Sequence, residues 1–375
     1  MKMTSIPKIA VFTKQLDNWN SGSGHHLDQI MQRIVDINTK EKLFHITFIH
    51  YKPSSNPIYK KVRELIVPRN PLLSSLILKK EAFDLVHYTP LTIYAPIYGV
   101  PNKKVATIHG VEQLLIPQFF GPVEMFHERY LVPRFARKMD GIFTVSNTTK
   151  KYLVDNFKVP SEKIVVAYNG ISDVYNPKNT NKCVILEKYG IKSPYIYHIS
   201  RFSERKNPWV LLKAFKRFIE QNNGRPHKLV CAGKGWDNDT VKKEAMALQI
   251  EDRLITPGFI SEQDSAELMS EADLFIFPSL AEGFGIPNIE AMASGCPVVT
   301  SSVFAIPEVV DDCALLVKDP NDVKGFAEAM GKIVNDEKLR NVLISKGLER
   351  VRSGIFSWDK AARELLSLYK RILEV

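Results

Sequence analysis

No stretch of this 375-residue sequence approaches the roughly 18 consecutive apolar residues of a membrane span, so a transmembrane helix is not among its expected elements. Cysteine is scarce. Cys183, Cys231, Cys296 and Cys313 are widely scattered, three of them in or beside apolar strand-like runs, and neither CxxC spacing nor a histidine cluster accompanies them. That favours buried reduced thiols over a disulfide framework or a zinc site, and no structural metal is expected. A signal peptide is also missing from the expectations: between Met1 and Leu16 the only apolar run is Ile9 to Phe12, after Lys8, which reads as a first strand. These absences point to the cytoplasm.

What is present is ordinary globular composition, 45% hydrophobic and 25% charged, in a chain longer than one hydrophobic core usually serves. Two domains are the prior. The net charge of +10 is unevenly placed: residues 1–190 hold 26 Lys and Arg against 15 Asp and Glu, whereas residues 191–375 hold 25 against 26. A basic first half is read either as composition bias serving solubility or as the mark of a negatively charged partner, such as an anionic membrane surface or a phosphorylated acceptor.

In the first half, a strand from Lys8 to Thr13 leads to the small-residue loop Ser21 to His26. Leu27, Ile30, Met31, Ile34 and Val35 then recur at helical spacing. Exposed N–H groups at such a helix start suit an anion, although Gly22-x-Gly24 alone is a weak signal and His25 and His26 read equally well as first-turn surface residues. Apolar runs at 43–50, 84–88, 105–109 and 141–145 alternate with helical or loop segments, the pattern of a parallel sheet wrapped by helices. His109-Gly110 closes one of these strands. Between it and the next, residues 114–139 mix aromatic and aliphatic side chains with Arg129, Arg134, Arg137 and Lys138. A core helix with a solvated face is one reading and a membrane-surface segment the other, and Pro117, Pro122 and Pro133 argue against one continuous helix.

The turn-rich stretch Asp173 to Asn181 is the linker candidate. Beyond it the strand and helix alternation restarts. A strand at 194–200 enters Arg201-Phe202-Ser203-Glu204-Arg205-Lys206-Asn207-Pro208, with Asn207 as expected N-cap and Pro208 as first helical residue. Arg201 and Lys206 thus sit at a strand's carboxyl end; salt bridging to Glu204 would account for one of the three basic residues there, and the surplus favours a phosphate. The buried-strand run Leu274 to Pro278 then enters Ala281-Glu282-Gly283-Phe284-Gly285-Ile286-Pro287-Asn288-Ile289-Glu290, with a helix starting near Ile286. Two carboxylates flank a glycine corner where open α/β sheets bind ligands. The expected fold class is α/β, two doubly wound Rossmann-like domains facing across a cleft.

Arg201-Phe202-x3-Lys206, Gly233-x-Gly235, Pro257-Gly258-Phe259 and Glu282-Gly283-Phe284-Gly285 through Glu290-Ala291-Met292-Ala293-x-Gly295-x-Pro297-Val298-Val299 resemble the retaining glycosyltransferases of family four, with the GT-B fold. The match is specific over 194–318 and looser in the first half, where it rests on the Gly22 loop, His109-Gly110, the Ser146 region and Asn169-Gly170. Phe304-Ala305 stands where many relatives carry a glycine pair. The resemblance implies an acceptor-side domain over 1–178, a donor-binding domain over 179–354 and a closing helix within 355–375 that returns to the first domain.

It further implies that Arg201 and Lys206 bind the donor pyrophosphate, Glu290 the ribose hydroxyls, and Glu282 the donor sugar with the N–H groups of Phe284, Gly285 and Ile286. Gly22 and Gly24 would admit the phosphates, His109 would contact the sugar, and Gly258 would border the base. Cationic groups stabilise a leaving diphosphate without a metal, so no cofactor beyond the sugar nucleotide is expected, and the partners are that donor and a carbohydrate or lipid-linked hydroxyl acceptor. A sugar-nucleotide epimerase of the same architecture and a basic nucleic-acid-binding protein are the alternatives; no nucleic-acid module is recognisable. A glycoside hydrolase would also pair carboxylates but has no need of Arg201 and Lys206 beside them.

Overall fold

A computed structural model of the chain describes residues 6–18, 21–100, 102–177, 182–191, 194–222 and 224–375. Its contacts divide it into a first unit, residues 1–170 with 357–375, and a second unit, residues 171–356.

The first unit is built on seven parallel strands: β1 (Lys8–Phe12), β2 (His45–His50), β3 (Arg63–Ile66), β4 (Leu85–Tyr88), β5 (Lys103–Ile108), β6 (Gly141–Thr144) and β7 (Ile164–Val166), in the order β3-β2-β1-β4-β5-β6-β7. The central strands β1, β4 and β5 are buried over most of their length, as expected of strands covered by helices on both faces. β3 is different: Arg63 and Glu64 are exposed at the sheet edge, and so short and polar a strand gives no periodicity to read.

Helix α1 (Gly22–Glu41) buries the expected stripe of Leu27, Ile30, Met31, Ile34 and Val35. It begins earlier than the sequence suggests. Ser21 is the N-cap, its hydroxyl accepting from the Gly24 N–H, so the expected loop is already the first helical turn. Against α1 packs the helix Trp358–Leu373, whose buried face includes Ala361, Ala362, Leu365 and Tyr369. Arg33 Nε and Asp359 meet at 2.6 Å across the pair. The same helix lies close on β6, where a Cβ on Gly141 would come within 2.6 Å of Ile372.

The second unit has six parallel strands: β8 (Tyr195–Ile199), β9 (Lys228–Ala232), β10 (Leu254–Gly258), β11 (Leu274–Phe277), β12 (Val298–Ser301) and β13 (Ala314–Val317), ordered β10-β9-β8-β11-β12-β13. Pro257 is tolerated because β10 is an edge strand. The core gathers the inward faces of β8, β9 and β11 under the helix Pro208–Gln221, which contributes Leu211, Ala214, Phe215 and Phe218 at helical spacing. Each such aromatic ring is worth about 2–3 kcal/mol of burial.

The linker candidate is corrected in part. Residues 171–177 group with the second unit, with Tyr175 buried and Pro177 against Gly295, while residues 178–181 lie outside the described set, as does the expected boundary between 178 and 179. Cys231, Cys296 and Cys313 are free and buried; the Cys183 side chain is outside the description. Among the described residues no helix is long and apolar enough to cross a membrane.

Candidate active site

In the second unit the strand order reverses between β8 and β11, and the segments that follow these two strands at their carboxyl ends are Ser200 to Asn207 and Pro278 to Ile286. Such a reversal leaves a crevice because neighbouring crossovers depart to opposite faces. The two segments are stitched together. The Leu280 N–H donates to the Arg205 carbonyl at 2.8 Å, Ser279 Oγ lies 3.1 Å from the same carbonyl, and Ser301 Oγ holds the Ser279 carbonyl at 2.6 Å.

On this scaffold Glu282 is buried with three donors on one oxygen. Lys206 Nζ lies 2.5 Å from Oε1, Ser279 Oγ 2.6 Å and Arg205 Nη1 2.8 Å. Burial alone would raise its pKa; Arg205 and Lys206 outweigh that and hold the carboxyl down at about 2. Lys206 in turn stands 4.5 Å above the Phe277 ring, a cation–π contact at the end of β11.

One contact is added to the sequence expectations here and one is removed. The carboxylate and the lysine, given separate ligands by the resemblance, pair with each other, and the second cation in the cluster is Arg205, whereas Arg201 stays exposed outside it. Glu204 accepts the Trp209 indole N–H at 2.9 Å and does not neutralise a neighbouring base. The sequence does not single out Arg205, because Arg201, Arg205 and Lys206 lie too close together to show which of them turns inward. The buried carboxylate of Glu282, distant along the chain and adjacent in space, is what selects between them.

The helix Ile286–Ala293 starts as expected, with Gly285 at φ 85° as its N-cap. That left-handed turn suits glycine, and an added Cβ would come within 2.8 Å of the Asn288 amide. Asn288 is wholly buried with neither amide atom hydrogen-bonded to protein. Its position in the first turn, below Phe284, Gly285 and Ile286, could not be distinguished from a core residue in the sequence. Asn207 occupies the N-cap position of the helix Pro208–Gln221 but does not cap by its side chain; at φ 56° its amide donates to the Pro320 carbonyl at 2.6 Å.

Glu290 shows the opposite electrostatics to Glu282. Glu290 is half-buried, and its carboxyl group is pushed up to about 8 by desolvation and by Glu262, against a hydrogen bond from Tyr175 that favours the charged form. At neutral pH it is largely protonated, able to donate as well as accept. Gly258, at φ 75°, ends β10, and a Cβ there would meet nothing within 4 Å.

In the first unit β5 delivers His109, and the first turn of α1 delivers His26. Their rings meet edge to face at 4.5 Å. His26 is buried, not a surface residue: Nδ1 bonds Asn169 Oδ1 at 2.7 Å and Trp358 packs against its ring. Trp358 also explains Gly170, where a Cβ would fall 2.2 Å from the Trp358 backbone nitrogen. His109 is lowered to about 4 by desolvation and by His87, so its imidazole is neutral at pH 7, and Nε2 is buried without a protein partner. A Cβ on Gly22 would meet nothing within 4 Å, so that corner of the first turn is open; the Gly24 N–H is already spent on Ser21. A depression of about 400 Å³ lined by Lys8, Asn38, His45 and Arg63 lies at the opposite, amino-terminal ends of β1 and β2, away from His26 and His109.

Residues 184–350 match the family model described as Glycosyl transferases group 1, and residues 35–174 the model described as Glycosyltransferase Family 4. Among curated relatives, the O-antigen chain mannosyltransferase B of Escherichia coli is 27% identical over 384 aligned residues, covering 97% of this chain and 99% of the relative. The MMP alpha-(1->4)-mannosyltransferase of Mycolicibacterium hassiacum is 27% identical over 301, covering 78% and 67%. Among solved structures, Anabaena Alr3699/HepE in complex with UDP and glucose gives a TM-score of 0.78 at 17% identity over 97% of this chain and 100% of that one. A glycosyltransferase from Rickettsia africae ESF-5 gives 0.75 at 18% identity over 99% and 100%. At those identities the structural likeness is one of fold, GT-B. With one glycosyltransferase model matched in each half and a full-length mannosyltransferase relative, the chain belongs to the family-four glycosyltransferases and is an enzyme of that class.

Proposed function

We propose that this glycosyltransferase moves mannose from a nucleotide-diphosphate mannose to a hydroxyl of a cell-envelope glycan or its lipid-linked precursor, with retention at the anomeric carbon and no bound metal. The names of the Escherichia coli and Mycolicibacterium hassiacum relatives support the sugar, and the first of them supports the envelope acceptor. The observation that carries the donor chemistry is the Lys206–Glu282–Arg205 cluster at the reversal of the strand order.

A diphosphate leaves with growing negative charge. Lys206, Arg205 and the exposed Arg201 are the cations that meet it, and the N–H groups of Phe284, Gly285 and Ile286 at a helix start add fixed donors. Glu282, kept ionised, accepts from the sugar hydroxyls and prevents the two cations beside it from repelling each other before the donor arrives. Glu290 takes the ribose. His109, neutral, accepts or donates to the sugar without adding charge, and the first turn of α1 at Gly22 contributes to the phosphates. In the working mechanism the acceptor oxygen bonds to C1 on the face from which the diphosphate departs, and its proton passes to the leaving phosphate oxygen.

The basic first half supports an anionic membrane face as the place of work. Incubation with a panel of sugar nucleotides tests the donor: release of nucleoside diphosphate and a raised melting temperature with the mannose donor alone are expected, and NMR of the product reads retention. Equal response to every sugar, or an epimerised donor, would overturn the reading.

A further inference from the structure

Helix α2 (Pro71–Glu81) buries Leu78 but turns its other three leucines outward. Leu72, Leu73 and Leu76 are 77%, 51% and 65% exposed, whereas Ser74 and Ser75 are buried. The serines are satisfied inside, Ser74 Oγ on the Pro68 carbonyl at 2.7 Å and Ser75 Oγ on the Tyr98 carbonyl at 3.0 Å. A helix serving only the core would turn the leucines inward. The three outward leucines are bracketed by exposed Arg69 before the helix and Lys79 and Lys80 at its end; Glu81, its acid, is engaged by Arg63 at 2.7 Å.

The same layer continues across the unit. The crossover β3 to β4 that contains α2 and the crossover β5 to β6 run in the same direction along the sheet, so right-handed connections place both on one face. Tyr98 joins them, its ring at 6.1 Å from Phe135 and 5.0 Å beneath Lys138 Nζ. Residues 122–131 then expose Val123, Phe126 and Tyr130, and the chain widens to a π-helical turn where the Val132 N–H reaches the His127 carbonyl, just before Pro133. Beside that turn opens a groove of about 400 Å³ to which Arg129, Arg134 and Arg137 contribute alongside Tyr130 and Tyr152, with no carboxylate in its lining.

We infer that this helix layer of the first unit docks on an anionic membrane, with Leu72, Leu73 and Leu76 inserted among the acyl chains and the arginine groove seating lipid phosphates. Apolar side chains ringed by cations match such a surface on both counts: leucines gain by leaving water, and each Arg or Lys gains near anionic headgroups. The inference rests on the membrane reading above and names the element that performs it; it does not depend on the sugar transferred.

The test is co-sedimentation of the full chain with phosphatidylcholine vesicles with and without phosphatidylglycerol, at low and high salt. Binding to the anionic vesicles that weakens with salt is expected. The triple variant Leu72→Gln, Leu73→Gln, Leu76→Gln should lose at least about tenfold in partition while its donor hydrolysis without vesicles stays unchanged. Arg129→Gln with Arg134→Gln should lower binding and flatten the salt dependence. If the leucine variant binds as the parent does, the membrane reading stands and this surface is wrong. If the parent binds no vesicle, both fall and sugar transfer is untouched. A parent that sediments as a dimer while the variant is a monomer would make the layer a contact between copies and overturn the inference.

Discussion

Lys206 and Glu282, 76 residues apart in sequence, meet at 2.5 Å because β8 and β11 are neighbours and both chains turn at the same sheet edge. The pair is largely buried and shares its carboxylate oxygen with Arg205, whose side chain is 31% exposed, so two cations and one carboxylate leave a net positive charge there. On the proposed donor reading, an incoming diphosphate would find that surplus already oriented, without the cost of arranging it.

Replacing Lys206 or Glu282 by Ala should therefore lower transfer by about 100-fold or more with the fold retained. The two differ in stability. Glu282→Ala leaves two cations facing each other and should lower the melting temperature by several degrees, whereas Lys206→Ala leaves Arg205 and Ser279 on the carboxylate and should cost less. Steady-state kinetics alongside thermal unfolding check both; unchanged turnover in either variant removes that residue from the donor site.

Glu282 and Glu290 should respond to pH with opposite sign. The folded carboxyl of Glu282 is depressed to about 2 from 4.5, so its stabilisation is complete above pH 4.5 and is lost as pH falls toward 2. Glu290 is raised from 4.5 to about 8, so its favourable contribution is complete below pH 4.5 and disappears as pH rises through 8. Glu290→Gln should match the parent near pH 5 and melt on the order of 5 °C higher at pH 9. Melting curves across that range decide it, and a variant no more stable at pH 9 than the parent contradicts a raised Glu290.

Asn288→Leu should stabilise the protein or leave it unchanged, because it removes a buried amide with no protein partner that costs about 1–3 kcal/mol as it stands. If the amide is left unpaired in order to meet the donor, the same variant gains stability and loses donor affinity. Denaturant unfolding and donor titration, run together, separate an amide with no ligand from one that waits for it.

His109 should leave no mark near pH 6.5 on the rate profile. Desolvation and His87 keep it neutral until about pH 4, so the acid limb from this residue should lie there. Asn169→Ala, which frees the His26 ring that packs on His109, should raise the rate-profile pKa or lower turnover with little change in donor binding. A limb at pH 6.5 in the parent that vanishes in His109→Gln would refute a neutral imidazole.

Much of the second unit was legible because its chemistry is local in sequence. Leu274 to Phe277 is buried on both faces, Pro287 marks a first helical turn, and Gly285 needs its positive φ, so strand, corner and helix follow one another within a short stretch of chain. What was not legible depends on partners distant along the chain. Tyr175 beside Glu290, Asn169 beside His26 and Arg205 on Glu282 are choices among ordinary residues that only tertiary packing makes. The same is true of α2: its leucines and serines have too little amphipathic contrast to reveal which side faces out, and β3 is too short and polar to register as a strand.

The helix Trp358–Leu373 sets an order of events. It supplies Tyr369, whose hydroxyl bonds His87 at 2.6 Å, and Trp358, which backs His26, yet these residues are translated after the whole of the second unit. At ribosomal rates the first unit therefore waits on the order of 10–40 s for its last helix while the second can already close its core. A stop codon shortly before Trp358 would thus damage the histidine pair at the chain's beginning, and spare the lysine and glutamate encoded upstream of it.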